Sequence, residues 1–319
     1  MPRGSGVEVR CCGYRHLEMG PTVGRRWANG REAVANGREA SNVSDAAGGG
    51  EPQVVELGHS LSGEGPSVVL IHGITEDRRT WDPVIDDLAG THQVLAVDLR
   101  GHGASPRADA YDLGSMAADI QALVERLGLQ APLLVGHSLG GTVATAYAAS
   151  YPTRAVITVD QPLDLVGFQA QVREVESVLR SDDFAVVIER LFASMRGPLP
   201  EPEVERVGSI RTPRQDVVLG VWSPVLDLSA ERLGELVDEV ASAVTAPYLS
   251  LHGIDPGPGY AEWLAERLPH ARVEVWADHG HYPHLVAPER FLQRLRDVDP
   301  ATWPPGRSAE PSCSTRRGP

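Results

Sequence analysis

Six short stretches of the chain are rich in apolar residues, and β-branched residues are frequent in most of them. They lack the strict alternation of apolar and polar positions that a half-exposed strand shows. A strand covered on both faces by helices has this pattern, which is typical of a parallel sheet. The pattern therefore predicts buried strands in residues 67–73, 92–103, 132–138, 155–160, 247–253 and 271–277.

The segments between these strands show the spacing of amphipathic helices. In residues 115–128, for example, Ile120, Val124 and Leu127 fall on one face, and Gly128 follows as a C-terminal cap. Strands that alternate with such helices form β-α-β units, whose strands lie parallel. The predicted fold class is therefore α/β, with a doubly wound, mostly parallel sheet.

Residues 161–246 interrupt this alternation between two of the predicted strands. Apolar residues recur at helical spacing three times in this segment, and no catalytic motif occurs in it. Helices inserted at one edge of an open sheet lie next to its strand ends, so one interpretation is a lid over a site. The other interpretation is a subdomain packed for stability alone. Under the lid interpretation, the candidate wall of a substrate pocket consists of Phe168, Phe184, Phe192 and Trp222.

The two ends of the chain differ in composition from its middle. Residues 1–50 are dominated by glycine, arginine and alanine, with few large apolar residues that a core could bury. We expect a disordered leader there, whose presence in the mature protein stays open, and a disordered tail over residues 299–319. The domain prediction is then a core of residues 51–160 and 247–298, with residues 161–246 as the lid.

Charge and cysteine content narrow the choice of partners. The 29 basic residues are all arginine and face 43 acidic ones, a net charge of -14 that disfavours nucleic acid and anionic membranes. No apolar run reaches membrane-spanning length, and the N-terminus lacks the apolar stretch of a secretory signal. Cys11, Cys12 and Cys313 lie near the ends, so no cysteine nucleophile or Cys-x-x-Cys metal site is expected between them. We expect a cytoplasmic protein that acts on a small molecule, and the oligomeric state stays open.

Residues 133–141 carry the candidate chemistry. A predicted strand ends here, Ser138 follows between Gly136 and Gly140, and a helix of small residues begins. The pattern Gly-x-Ser-x-Gly in this strand–turn–helix context predicts a sharp turn that exposes the serine hydroxyl at the top of the sheet. Side chains at the flanking glycines would clash in such a turn. The N–H of Leu139, at the positive end of the helix, is placed to bind an oxyanion.

With these residues and three further segments in the same order, the chain resembles the α/β-hydrolase superfamily, in particular its lidded members with a serine nucleophile. The further segments are His72-Gly73-Ile74, the turn from Asp98 to Ser105, and the loop from Gly280 to Leu285. In the superfamily the loop after the His-Gly pair supplies a second oxyanion-hole amide, which implies the N–H of Ile74. The 98–105 turn has a structural role in relatives. The resemblance also implies a helical lid inserted after the sixth strand.

A serine hydroxyl is a poor nucleophile unless an imidazole removes its proton. The resemblance implies that His281, which follows Gly280 on the loop after the final strand, is this base. His279 and His284 are the competing residues nearby.

An acid must orient the imidazole and stabilise its protonated form. Relatives often carry this acid as Gly-x-x-Asp after the strand before the histidine, whereas this chain reads Gly253-Ile254-Asp255, one residue short. Asp255 is the preferred candidate because it is the carboxylate in that loop and keeps the chain order Ser, Asp, His. The alternative acid is Asp160, at the end of the preceding strand.

Together these residues predict a serine hydrolase that cleaves a small or medium carboxylic ester or lactone through an acyl-serine. No cofactor or metal motif is present, so none is expected. The same three residue types also serve C–C bond hydrolases and cofactor-free haloperoxidases or perhydrolases, and slow-turnover ligand receptors share the fold. A C–C hydrolase needs a partner for a substrate carboxylate, for which the candidates in the lid are Arg173, Arg190 and Arg211.

Overall fold

The computed structural model describes residues 8–9, 17–18 and 53–298. Seven strands of this part form one sheet, namely β1 (His59–Ser62), β2 (Ser67–Ile71), β3 (Gln93–Val97), β4 (Leu133–His137), β5 (Ala155–Val159), β6 (Tyr248–His252) and β7 (Ala271–Val275). Their order across the sheet is β1-β3-β2-β4-β5-β6-β7. β1 is antiparallel to β3, and every other neighbouring pair is parallel, which confirms the predicted doubly wound α/β fold.

The predicted leader and tail lie outside the described residues, apart from one short antiparallel ladder. This ladder pairs Glu8–Val9 with Leu17–Glu18. The domain prediction for residues 1–50 and 299–319 therefore stays a prediction.

Helices cover both faces of the sheet. Outside residues 161–246 they are α1 (Asp82–Ala89), α2 (Leu113–Arg126), α3 (Leu139–Ser150), α11 (Tyr260–Arg267), α12 (Pro283–Val286) and α13 (Pro288–Asp297), with a 3₁₀ helix at Arg78–Trp81. Val68 and Leu70 of β2 face the apolar cluster of α1 and α13, whereas Val69 and Ile71 face that of α2 and α3. Every residue of β2, β4, β5 and β6 is buried, which explains their continuous apolar pattern.

Residues 161–246 form a helical segment between β5 and β6. It therefore follows the fifth strand of the described sheet, whereas the resemblance implied a position after the sixth. Its helices are α4 (Leu165–Glu174), α5 (Glu176–Leu179), α6 (Phe184–Met195), α7 (Glu201–Ile210), α8 (Gln215–Val221), α9 (Ser223–Asp227) and α10 (Ala230–Ala243). In the described part of the chain, no helix is both long and apolar enough to cross a membrane.

The helical segment contacts two loops at the carboxyl ends of the strands. The N–H of Thr212 donates to the carbonyl oxygen of Thr75 (2.7 Å), and the N–H of His281 donates to that of Met195 (2.8 Å). Gly197 and Gly280 also touch, since a Cβ atom on Gly197 would lie 2.6 Å from Gly280 Cα. The segment therefore packs against the loops after β2 and after β7.

The 98–105 turn is held by buried charges. The carboxylate of Asp98 accepts hydrogen bonds from the N–H groups of Arg78 and Ala104, each 2.8 Å long. Arg100 pairs with Asp119 at 2.6 Å, and both side chains are buried. These contacts fix the loop beside the carboxyl end of β3, in keeping with the structural role that the resemblance implied.

Candidate active site

The turn between β4 and α3 has the geometry that the sequence predicts. Ser138 has φ 50° and ψ -123°, a conformation that side chains rarely adopt and that costs about 1–3 kcal/mol. A Cβ atom on Gly136 would lie 2.0 Å from the carbonyl oxygen of Gly140, and one on Gly140 would lie 2.2 Å from that of Ile71. No larger residue fits at either glycine, so the turn depends on both.

Replacing Gly136 with alanine should therefore lower the free energy of unfolding by about 3 kcal/mol, because the added methyl group overlaps backbone that cannot move freely. Gly208 in α7 is the matched control, since a Cβ atom there meets nothing within 4 Å. Gly208→Ala should raise the free energy of unfolding by about 0.5–1 kcal/mol through helix propensity. Urea unfolding followed by circular dichroism measures both values. Equal stability of the two variants would contradict the steric account of this turn.

The hydroxyl of Ser138 is not used to build the fold. Serine often caps a helix, but this side chain makes no capping hydrogen bond to α3. The backbone is fixed instead, because the N–H of Ser138 donates to the carbonyl oxygen of Val159 (3.0 Å). The residue is half-buried, so a rigid backbone presents a hydroxyl that solutes can reach.

The loop after β2 lies directly beside this turn. A Cβ atom on Gly73 would be 3.3 Å from Ser138 Cβ, and Thr75 turns the chain with φ 69°. His72 anchors the loop, since its Nε2 accepts a hydrogen bond from the N–H of Leu99 (3.0 Å). Ile74, which lies between Gly73 and Thr75, is therefore close to Ser138. The N–H of Leu139 has no acceptor within α3 because Leu139 is the first residue of that helix.

His281 pairs with Asp160, not with Asp255. Nδ1 of His281 donates to Oδ2 of Asp160 at 2.6 Å, and both side chains are buried. The other carboxylate oxygen accepts from the N–H groups of Gly253 and Ile254, each at 2.9 Å. The alternative acid of the sequence analysis is thus the one that the structure brings to the imidazole.

The preferred acid of the sequence analysis, Asp255, was the wrong choice for this contact. Its side chain is exposed, and its carboxylate accepts from the N–H of Gly257 two residues later (2.9 Å). The loop after β6 contributes N–H donors to Asp160 instead of a carboxylate to the histidine. Asp160 reaches these N–H groups because β5 and β6 are neighbours in the sheet and because the backbone turns at Asp160, which has φ 50°.

Burial and hydrogen bonding set the charge of this pair. Burial raises the pKa of the Asp160 carboxyl, but the hydrogen bonds from His281 and Ile254 outweigh it, so the pKa lies below its ordinary value. Burial lowers the pKa of His281, and the hydrogen bond to Asp160 does not fully offset this. The pair is therefore a carboxylate and a neutral imidazole that carries its proton on Nδ1.

The second ring nitrogen of His281 is available to accept a proton. Nε2 is buried and has no hydrogen-bond partner among the described residues, Ser138 included. Of the competing histidines, His279 binds the carbonyl oxygen of Ala277 through Nδ1 at 2.9 Å. His284 is buried against Trp81, and burial lowers its pKa well below the ordinary value. The structure therefore places His281, and neither competitor, beside Asp160.

A second buried carboxylate, Glu76, lies behind His281, and sequence reasoning missed it. His137, next to Ser138, donates from Nε2 to the carbonyl oxygen of His281 (2.9 Å), and its Nδ1 lies 3.5 Å from Oε2 of Glu76. The hydroxyl groups of Thr80 and Tyr282 donate to Glu76 at 2.9 and 2.6 Å. This network fixes the backbone of the histidine loop.

Its contacts keep Glu76 ionised. Burial raises the pKa of Glu76, but His137, Arg211 and Tyr282 together hold it well below the ordinary value. No motif marks Glu76 in the sequence, because its partners come from four separate segments of the chain.

A cavity of about 280 Å³ adjoins this network, between the helical segment and the loops after β2 and β7. Of the four predicted wall residues, Phe192 lines it. Phe184 and Trp222 belong to the main apolar core, as Phe192 also does, but they do not line the cavity. Phe168 packs edge-on against Trp222 at 5.5 Å. An apolar helix stripe predicts burial, but it does not show which buried residues also line a cavity. The lining residues are Thr75, Ile188, Glu189, Phe192, Ala193, Arg196, Leu199, Val204, Val207, Gly208, Arg211, Pro213 and Tyr282.

The three arginines that are candidates for binding a substrate carboxylate differ in their contacts. Arg211 lines the cavity, whereas Arg173 donates to the carbonyl oxygens of Leu226 and Leu228 within the helical segment. Arg190 is half-buried on α6 and is not among the lining residues. Only Arg211 of these three can therefore contact a molecule in this cavity.

Comparison with known proteins agrees with this fold. The chain matches the alpha/beta hydrolase fold family over residues 66–288 and belongs to that family. The pimeloyl-[acyl-carrier protein] methyl ester esterase of Vibrio vulnificus is 30% identical over 258 residues, which cover 75% of this chain and 96% of that protein.

Two further similarities differ in extent. An uncharacterized protein of Mycobacterium tuberculosis is 38% identical over 152 residues, which cover 47% of this chain and 42% of that protein, so the match spans less than half of that relative's length. A thermophilic esterase from Thermogutta terrifontis, solved with malate bound, is 26% identical with a TM-score of 0.61, over 76% of this chain and 92% of that chain.

Proposed function

We propose that this hydrolase cleaves a carboxylic ester or lactone of small or medium size, with Ser138 as nucleophile, His281 as base and Asp160 as the acid. The observation that carries the proposal is the buried 2.6 Å hydrogen bond from His281 to Asp160. It fixes the imidazole proton on Nδ1 and leaves the Nε2 lone pair to accept the serine proton.

The proposed reaction follows from these contacts. His281 removes the proton of Ser138 as the serine oxygen attacks the carbonyl carbon, and the N–H groups of Ile74 and Leu139 bind the oxyanion. The imidazolium then donates its proton to the leaving alcohol. Water, activated by the same imidazole, hydrolyses the acyl-serine and restores the hydroxyl. Asp160 stays ionised throughout and stabilises the imidazolium.

Relatives and cavity size support ester substrates. A methyl ester esterase and a thermophilic esterase are among the similar proteins. The cavity of about 280 Å³ is at the small end of the range for ligand pockets, which suits a small or medium group. Its lining includes neither Ser138 nor His281, but Thr75 and Tyr282 of the lining directly follow Ile74 and His281, so the cavity adjoins the proposed reaction centre. In this proposal residues 161–246 act as a lid, since they form one wall of the cavity. A cytoplasmic location stays a prediction of the sequence.

Two measurements test the proposal. A fluorophosphonate probe should label the folded protein at Ser138, as mass spectrometry of the labelled peptide would show. A panel of nitrophenyl esters of increasing chain length should give turnover that falls as the acyl group outgrows the cavity. Labelling at no residue, together with ester turnover no faster than that of Ser138→Ala, would reject the proposal and favour the receptor alternative. Labelling without ester turnover would favour C–C bond cleavage.

The pH dependence of kcat/KM should reflect the buried imidazole. His281 acts as a base in its unprotonated form, so activity falls as the pH drops through its pKa. Because burial lowers this pKa from the ordinary value of 6.5, the acid limb should have its midpoint below pH 6.5. Nitrophenyl ester hydrolysis, read where nitrophenol and nitrophenolate absorb equally and corrected with Ser138→Ala at each pH, measures the midpoint. A midpoint above pH 6.5 would contradict this assignment.

A further inference from the structure

Two residues that line the cavity each carry a buried side-chain donor with no hydrogen-bond partner among the described residues. The donors are Oγ1 of Thr75, a residue that is 1% exposed, and Nε of Arg211. Both residues line the cavity, whose other lining is mostly apolar. Leaving a buried polar group without a hydrogen bond costs about 1–3 kcal/mol, and more for a charged group. An acceptor on a bound molecule would remove this cost.

The two donors are held close to the proposed reaction centre. Thr75 directly follows Ile74, and its carbonyl oxygen accepts from the N–H of Thr212 at 2.7 Å, which keeps the neighbouring Arg211 beside it. Tyr282, another lining residue, directly follows His281. The cavity therefore adjoins the loops that carry the proposed oxyanion-hole amide and the base, although Ile74, Ser138 and His281 are not among its lining residues.

The guanidinium of Arg211 is fixed before any ligand arrives. Its Nη2 donates to the hydroxyl of Tyr282, and its Cζ lies 3.9 Å from the ring centroid of Phe192. Glu76 balances its charge from 3.8 Å, a distance at which no hydrogen bond forms. One edge of the guanidinium is thus held by the protein, while Nε, on another edge, has no protein acceptor.

The charges at the rim do not oppose an anion. Glu189 and Arg196 line the cavity with opposite signs, and both residues are exposed to solvent. Arg211 is the better buried cation, with 20% of its side chain accessible. A guanidinium and a hydroxyl on two residues that line one cavity suit a carboxylate, because its two oxygens can accept one hydrogen bond from each.

We propose that the substrate carries a carboxylate in addition to its ester bond, and that Arg211 and Thr75 bind this carboxylate. The proposal rests on the proposed ester hydrolysis and names its substrate class. Charge-assisted hydrogen bonds of this kind strengthen binding by about 10- to 100-fold.

Binding to Ser138→Ala tests this site without turnover. Calorimetry compares monomethyl glutarate with methyl pentanoate, which has the same chain with a methyl group in place of the carboxylate. A second pair, 4-acetoxybutanoate and butyl acetate, moves the carboxylate to the alcohol side of the ester. The anion of at least one pair should bind about 10- to 100-fold more tightly than its neutral partner. The pair that shows the difference identifies the side of the ester that carries the carboxylate.

Three further substitutions in the Ser138→Ala background assign the effect to the site. Arg211→Met should bring the two dissociation constants of the responding pair together, and Thr75→Val, which keeps the side-chain shape, should remove part of the difference. Arg232→Met is the matched control, because Arg232 lies on α10 and pairs with Glu235 and Glu239 on the surface. It should preserve the full preference. Melting temperatures identify any variant that fails to fold. If Arg211→Met does not fold, Thr75→Val still tests the site.

Equal binding of anionic and neutral esters in both pairs would overturn the carboxylate site, as would a preference that survives in folded Arg211→Met and in Thr75→Val. Neither result would contradict the proposed ester hydrolysis if the wild type still hydrolyses neutral esters and is labelled at Ser138. Failure of labelling and of all ester turnover would reject the proposed function instead.

Discussion

Ser138→Ala is expected to lower kcat for ester hydrolysis by about 10⁴- to 10⁶-fold, the range seen when a serine hydrolase loses its nucleophile. The reason is local, because Gly136 and Gly140 allow the tight turn that fixes the position of the Ser138 hydroxyl. The residual rate should be that of the oxyanion-hole amides and binding alone. Stopped assays with nitrophenyl esters at high enzyme concentration measure it, and the fluorophosphonate label should be lost in parallel.

Ser150→Ala is the matched control, since Ser150 ends the same helix and is exposed. It should keep wild-type turnover within about twofold, as surface substitutions usually do. Alanine at position 138 would have to adopt the same strained φ as Ser138, so the free energy of unfolding of Ser138→Ala should be compared with that of the wild type as well. A folded Ser138→Ala variant that retains more than about one hundredth of the wild-type kcat would exclude Ser138 as the nucleophile.

The turn at Ser138 could be predicted from the sequence because its causes are local. Gly136, Ser138 and Gly140 lie within five residues, and the clashes that exclude other side chains involve neighbouring backbone. The strands were predictable for a related reason, since burial on both faces leaves a continuous apolar run in each. His281 was found from the resemblance of its loop, and the structure places it beside a carboxylate.

The acid and the cavity could not be predicted in the same way, because both depend on how distant segments meet. Asp160 and Asp255 each follow a strand, and their spacing along the chain does not show which one turns toward the histidine. The outcome depends on the pairing of β5 with β6, which brings the N–H groups of Gly253 and Ile254 to Asp160. The apolar stripes of residues 161–246 are similarly ambiguous, since Phe184 and Phe192 both belong to the apolar core but only Phe192 of the two also lines the cavity.

Asp160→Asn is expected to lower kcat by about 10⁴-fold with little change in the fold, as in other hydrolases whose histidine loses its carboxylate partner. The structure gives a specific reason for the loss. The N–H groups of Gly253 and Ile254 hold one side-chain oxygen of residue 160, so an asparagine would place its oxygen there and its NH₂ group toward His281. Nδ1 of the imidazole must then accept a hydrogen bond, and the ring proton moves to Nε2. A histidine with its proton on Nε2 cannot take the proton of Ser138.

Asp255→Asn is the control that separates the two candidate acids. The Asp255 side chain is exposed and accepts a hydrogen bond from Gly257, so its replacement should change kcat by less than about twofold. The same assay, with nitrophenyl esters and the Ser138→Ala blank, compares both variants. NMR of the His281 ring protons should also show the change of tautomer in Asp160→Asn and not in Asp255→Asn. If Asp255→Asn lost activity while Asp160→Asn kept it, the 2.6 Å contact between His281 and Asp160 would not be the catalytic one.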